Sequence, residues 1–240
     1  MNYFEISYTA LGGLALFFLG LRYLSEALQS SGKEAMRNIL ASLTRNRVLA
    51  VLAGVGITVF VQSSSITTVM TVSIVNAGLM ELKQAIGVIL GANIGTTVTG
   101  WVISVKVGGY GLLLIGLGIY PMLAAQRTWL VTSGKALVAL GLVFTGLEFM
   151  SGAFVPLRSD ENFISYLYLF DANSLTSILA CVLVACLLTM VIQSSSAMLG
   201  ITMTLASTGV IDFNTAVALI IGENVGTTIT AQLASIGANT

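Results

Sequence analysis

The stretch Val59-Phe60-Val61-Gln62-Ser63-Ser64-Ser65-Ile66-Thr67-Thr68 sets four polar residues at the centre of a run that is otherwise apolar or small from Val48 to Leu79. Each flanking arm, of about 14 residues, reaches only about 21 Å at 1.5 Å per residue, short of the ~30 Å hydrocarbon core of a bilayer. One helix broken at the serines would put Arg47 and Lys83 on opposite faces of a membrane. A re-entrant hairpin returns both to one face, as the preference of Lys and Arg for the cytoplasmic side requires. The reading is therefore a hairpin, residues 48–61 and 66–79, with residues 62–65 at its buried tip.

Composition makes the bilayer the solvent. The chain has 240 residues, 56% hydrophobic and 8% charged, with a mean hydropathy of +0.95, whereas a soluble domain carries roughly 25% charged residues. Ten Lys and Arg against ten Asp and Glu leave no net charge, which removes the electrostatic basis for binding nucleic acid. No histidine is present, so His-dependent triads and His-containing metal sites are excluded. Cys181 and Cys186 lie in an apolar run and read as packing residues. The start, Met1-Asn2-Tyr3-Phe4-Glu5, lacks the basic stretch of a removable signal peptide, so the first apolar segment is expected to stay.

Working outward from the hairpin, residues 8–28, 85–105, 136–155 and 215–236 read as spans, and 110–125 as a short one. Residues 33–47 form a basic, interfacial amphipathic segment and 157–173 a polar, acidic loop. Placing the basic segment in the cytoplasm gathers Lys33, Arg37, Arg45, Arg47, Lys83, Arg127 and Lys135 on that side and leaves Lys106 and Arg158 outside. Arg22 and Glu26 then sit near the cytoplasmic end of the first span as an i,i+4 pair.

Shifting the chain by 131 positions aligns residues 62–104 with 193–235 without a gap. Gln193-Ser194-Ser195-Ser196 repeats the first tip, and Gly91-Ala92-Asn93-Ile94-Gly95-Thr96-Thr97 meets Gly222-Glu223-Asn224-Val225-Gly226-Thr227-Thr228. A weaker echo at a shift of 126 relates residues 14–21 to 140–147. The fold expected is an all-α integral membrane protein of two inverted-topology repeats, each with a transmembrane helix, a re-entrant helical hairpin and a broken transmembrane helix. Its parts are residues 1–109, a connecting transmembrane segment at 110–135, and 136–240. Inverted repeats are an architecture of secondary transporters, with sites near the midplane between the halves.

Ser63, Ser64 and Ser65, with Ser194, Ser195 and Ser196, offer hydroxyls where a helical arm begins and its free N–H groups and positive dipole end point at the tip. A phosphate-sized oxyanion suits that setting. Gln62 and Gln193 can donate through the amide or offer a carbonyl to a hard cation. Asn93, Thr96, Thr97, Asn224, Thr227 and Thr228 lie where paired glycines weaken a span, so that unwound carbonyls and side-chain oxygens could hold a dehydrated sodium ion. The bland alternative for the serine tracts is close helix packing, for the glycines close helix crossing, and for Glu223 a polar packing contact. Glu223, ionisable within a span, is a candidate cation ligand or proton carrier, although Ala92 at the matching position shows that the architecture does not demand it. Glu148, whose counterpart is Arg22, reads as a structural or interfacial charge.

The doubled Gln-Ser-Ser-Ser tips and doubled Gly-x-Asn-x-Gly-Thr-Thr segments resemble the type II sodium-phosphate cotransporter family, bacterial members included, from about Gly13 to Ser235. The resemblance implies a multi-pass symporter of the plasma (inner) membrane importing inorganic phosphate with sodium. It assigns phosphate to the six serines and sodium or supporting roles to Gln62, Gln193, Asn93, Thr96, Thr97, Asn224, Thr227 and Thr228. Family members usually continue through further membrane segments, and many bacterial ones add a PhoU-like regulatory domain. The second repeat is thus expected to be truncated at its C-terminus, its transport unit completed by further helices or by a second copy in a homo-oligomer. The rivals are a non-transporting phosphate sensor or scaffold, a re-entrant-loop channel, and an intramembrane serine hydrolase, the last lacking any base beside either tip.

Overall fold

The computed structural model describes residues 2–29, 46–104, 109–160, 163 and 171–236. Among these the regular structure is helical throughout. Helix α1 runs Tyr3–Gln29, α2 Arg47–Val61, α3 Ser64–Asn76, α4 Leu82–Ser104 and α5 Gly111–Ala124. Helix α6, Thr128–Phe154, continues as a 3-10 turn, Val155–Ser159. Then come α7 Leu175–Ile192, α8 Ser195–Ser207, α9 Phe213–Thr227 and α10 Ile229–Ser235. Among the described residues, four segments are long and apolar enough to cross a membrane: Tyr3–Gln29, Leu82–Ser104, Thr128–Ser159 and Leu175–Ile192. The expected amphipathic segment 33–47 and loop 157–173 fall largely outside the described residues.

Five helices start where a side chain caps them. Asn46, Ser63, Ser174, Ser194 and Asp212 each accept a backbone N–H of the first turn with a side-chain oxygen, which satisfies one of the four orphan donors of a helix start. Outward faces are apolar: Leu179, Leu183, Leu187 and Val191, four residues apart on α7, are all exposed. Inward faces carry hydroxyls, with Thr58, Thr67, Thr71, Thr189, Thr202 and Thr204 all buried. That arrangement inverts the soluble pattern and suits a hydrocarbon surround.

Glycine sets the closest crossings. A Cβ on Gly91 would collide with the Val51 carbonyl oxygen, and one on Gly222 with that of Val182. Four residues on, a Cβ at Gly95 would stand 2.9 Å from Val55 O, and one at Gly226 2.5 Å from Cys186 O. All four contacts obey the 131-residue shift, so α4 lies on α2 as α9 lies on α7. Between the halves, Phe17 is fully buried in the core of α1, α6 and α8, packed with Val143 and Met150, and α8 also touches α4 through Leu199 at Gly100.

Three sequence expectations change. The expected break in the first repeat is absent: α4 passes unbroken through Gly91 to Thr97. The glycines there serve backbone-to-backbone packing on α2, and Thr96 and Thr97 return their hydroxyls to the helix's own carbonyls of Ala92 and Ile94. In the second repeat the segment 215–236 is divided, but after Gly222–Thr227, at Thr228. Helix α6 also begins earlier than expected, which moves Lys135 from a loop end into the helix body.

Candidate functional site

Both Gln-Ser-Ser-Ser segments form the same tight link between two helices. Gln62 closes α2 with φ 56°, and Gln193 closes α7 with φ 59°. They are the described non-glycine residues at positive φ, a conformation that costs an L-residue roughly 1 kcal/mol or more. Each side-chain amide offsets part of this by donating back three residues, Gln62 Nε2 to Val59 O at 2.6 Å and Gln193 Nε2 to Met190 O at 2.7 Å. The next serine is extended and caps the following helix: Ser63 Oγ accepts from Ile66 N, and Ser194 Oγ from Ala197 N, each at 3.3 Å. This leaves the first amides of α3 and α8, at Ser64, Ser65, Ser195 and Ser196, at the helix starts.

The two links meet in one cavity of about 340 Å³, lined by Gln62, Ser63, Ser64, Ser65 and Ile66 with Gln193, Ser194, Ser195 and Ser196. Ser64 and Ser195 are buried, at 4% and 8% exposure. Among the described residues, helix α1 supplies the rest of the wall: Phe18, Leu21, Arg22, Ser25, Glu26 and Gln29. It is tied to the first link by Ser25 Oγ, which donates to Val61 O at 2.8 Å and accepts from Gln29 Nε2 at 2.7 Å. A ligand here meets two helix N-termini and up to six serine hydroxyls, the donor set of an anion site. The wall from α1 is what sequence reasoning missed. Arg22 and Glu26 give an i,i+4 signal, but nothing local shows that their helix lies against links 40 and 170 residues away.

The other predicted residues lie elsewhere. Asn93, Thr96, Thr97, Glu223, Asn224, Thr227 and Thr228 do not line this cavity. Thr97 and Thr228 are exposed, Asn93 and Asn224 are partly buried, and Thr96, Thr227 and Glu223 are buried. Thr227 and Thr228 return their hydroxyls to Glu223 O and Val225 O, as their first-repeat counterparts do. One polar chain does connect a link to this region, Thr99 Oγ1 donating to Gln62 Oε1 at 3.0 Å. At the matching position the interruption at Thr228 redirects Thr230 to Thr227 O. Glu223, 2% exposed, accepts from Thr202 Oγ1 at 2.6 Å, so a carboxyl group is sealed between α8 and α9.

Comparison with known proteins places the chain. A family model described as Na+/Pi-cotransporter matches residues 16–152 and 161–240. The putative inorganic phosphate export protein YjbB of Escherichia coli (strain K12) is 28% identical over 229 residues, covering 95% of this chain and 41% of that protein. The uncharacterized protein YqeW of Bacillus subtilis (strain 168) is 31% identical over 242 residues, 96% of this chain and 73% of that protein. Sodium-dependent phosphate transport protein 2A of Rattus norvegicus is 40% identical over 101 residues, 41% of this chain and 16% of that protein. The chain thus spans about two fifths of the length of YjbB. No solved structure matches it. Matched by the family model over most of its length, and with four helices fit to cross a bilayer, the chain is an integral membrane protein that belongs to the Na+/Pi-cotransporter family.

Proposed function

We propose that this chain forms the membrane unit of a sodium-coupled symporter for inorganic phosphate in the plasma membrane, with phosphate held between the two Gln-Ser-Ser-Ser links. The observation that carries the reading is the single cavity into which both links converge, each with a buried serine at the start of a helix of 13 residues. Family membership and relatives named for phosphate transport support the same substrate. In this reading residues 1–109 and 136–240 are inverted repeats joined by 110–135, and the links are the tips of re-entrant hairpins. Helices α2 and α3, of 15 and 13 residues, are each too short to cross about 30 Å alone, which supports re-entrance at the first link; at the second, α8 is as short as α3, whereas α7, of 18 residues, is long enough to cross. Phosphate enters from alternate sides as one half rocks against the other.

Sodium offsets the phosphate charge. Gln62 and Gln193 offer carbonyl oxygens beside the links, and Asn93, Thr96, Thr97, Asn224, Thr227 and Thr228 offer oxygens along α4 and α9. Glu223 supplies a buried carboxylate, whose burial without a cationic partner among the described residues is costly, a cost that a sodium ion would relieve. Uptake into proteoliposomes containing the purified chain tests the whole reading. Phosphate should accumulate above its external concentration on an inward sodium gradient and not when choline replaces sodium. Downhill flux alone would indicate a channel, and binding without flux a sensor.

The word "export" in the name of YjbB favours a second reading on direction alone. A coupled carrier is reversible, so the same site releases phosphate outward when the gradients invert. In the same vesicles, efflux of internal phosphate that is indifferent to sodium on both sides would support a dedicated exporter over the symporter.

A further inference from the structure

The links hold no cationic side chain, yet their cavity contains one. Arg22 and Glu26, one turn apart on α1, line it together with the serines. Arg22 Nε donates to Glu26 Oε1 at 3.1 Å, while Lys135 Nζ from α6 holds the other carboxylate oxygen, Oε2, at 2.6 Å. Lys135 is fixed in turn over the Tyr23 ring, 5.2 Å from its centroid. Two cations thus share one carboxylate and the cluster carries a net charge of +1. The three charges are unequally placed: the Arg22 side chain is 77% exposed, against 28% for Lys135.

We propose that Arg22 is the recruiting residue of the phosphate cavity, drawing the anion in and exchanging Glu26 for a phosphate oxygen on arrival. This rests on the phosphate reading above. The guanidinium has five N–H donors in a planar fork, and among the described residues only Nε is engaged, which leaves the fork's terminal NH2 groups for the bidentate pairing that oxyanions favour. Releasing Glu26 leaves no bare carboxylate, because Lys135 keeps it. Lys135 and Tyr23 are therefore positioning residues: they hold the counter-charge so that Arg22 can turn. The architecture itself does not require the cation, since Arg22 matches Glu148 at the 126-residue shift. Its place beside the serines is what gives it use.

The test is the association kinetics of radiolabelled inorganic phosphate with the purified 240-residue chain, at fixed sodium, with ionic strength raised by choline chloride. Steering by a mouth charge appears in the on-rate and its salt dependence. R22Q should lower the on-rate roughly tenfold at low ionic strength and flatten its salt dependence. R22K should restore the salt dependence without restoring full affinity, having charge but no fork. E26Q, which removes the counter-charge, should raise the on-rate, the opposite sign from any loss of structure. An unchanged on-rate in R22Q, or R22Q and E26Q moving together, overturns the inference. If R22Q fails to fold, an E26Q on-rate equal to or below that of the unaltered chain overturns it instead. Absence of phosphate binding by the unaltered chain would remove the transport reading and this inference with it, whereas binding with R22Q unchanged removes only the role of Arg22.

Discussion

At the residue scale the two halves differ where a single side chain has changed. Thr58 Oγ1 donates to Thr67 Oγ1 at 3.0 Å, and Thr67 passes its own proton to Ser63 O at 3.1 Å. The matching residues of the second half are Thr189 and Met198, so the Thr189 hydroxyl is buried with no partner among the described residues. Removing a bonded hydroxyl costs about 1 kcal/mol, while replacing an unpartnered one by a methyl is neutral or favourable. Thr58→Val should therefore lower thermal stability in detergent, and Thr189→Val should leave it equal or higher. Equal losses would mean that the Thr189 hydroxyl has a partner such as a bound ion. The proposed phosphate site makes the serines answer to binding instead. Ser64→Ala and Ser195→Ala each remove a donor from a nearly dry wall, and equilibrium binding of labelled phosphate should weaken roughly tenfold in each. Full affinity in both would exclude a site shared between the links. The two tetrads were legible as links between helices, because four polar residues interrupt each apolar run, and they meet in one cavity. The place of Arg22 in that cavity's wall was not, because it depends on a contact between segments far apart in the chain.

At the element scale the glycines show where reading a sequence stops. Gly91 and Gly95, with Gly222 and Gly226, permit either an unwound, ligand-binding backbone or the close crossing of two helices. The residue types are the same for both, and the partner decides. Here the partner is a helix backbone, Val51 and Val55 on one side and Val182 and Cys186 on the other, so α4 stays whole where a break was expected. Gly91→Ala and Gly222→Ala should each destabilise by about 1–3 kcal/mol, since neither facing carbonyl can move without shifting its helix. Gly56→Ala supplies the control on the same pair of helices: nothing lies within 4 Å of its added Cβ. It should gain up to ~1 kcal/mol from helix propensity. Thermal unfolding of the three variants, monitored by circular dichroism, makes the comparison. A neutral Gly91→Ala would mean that α2 and α4 are not in close contact and would reopen the unwound reading. Capping, by contrast, is local: Asn46, Ser63, Ser174, Ser194 and Asp212 each satisfy a first-turn donor whatever the helix packs against.

At the scale of the whole molecule the halves share their contacts as well as their sequence. Links of the same geometry, glycine crossings at the same offsets and a common cavity are what two copies of one unit would make. The crossing of α1 on α6 has the same exchange symmetry: Gly20 faces Ala139 O and Val143 N, and Gly146 faces Gly13 O and Phe17 N. Under the 126-residue shift these are equivalent contacts with the partners exchanged, as a local two-fold axis between the helices requires. Contacts inside the protein are the same whichever way the pair is set in a bilayer, so orientation needs an external probe. The inverted, re-entrant arrangement predicts that the ends of each hairpin unit share a face and that the two units use opposite faces. Single cysteines at Arg47 and Lys83 bracket the first unit, and at Asn173 and Asn214 the second, all four positions being exposed. The background replaces Cys181 and Cys186, both buried, by alanine. With an impermeant maleimide applied outside intact cells, the cysteines at 173 and 214 should label, and those at 47 and 83 should label only after permeabilisation. Labelling of 47 and 83 from different sides would make α2 and α3 one interrupted span, and labelling of 47 and 173 from the same side would make the repeats parallel. Either result removes alternating access by inverted halves while leaving the shared cavity in place.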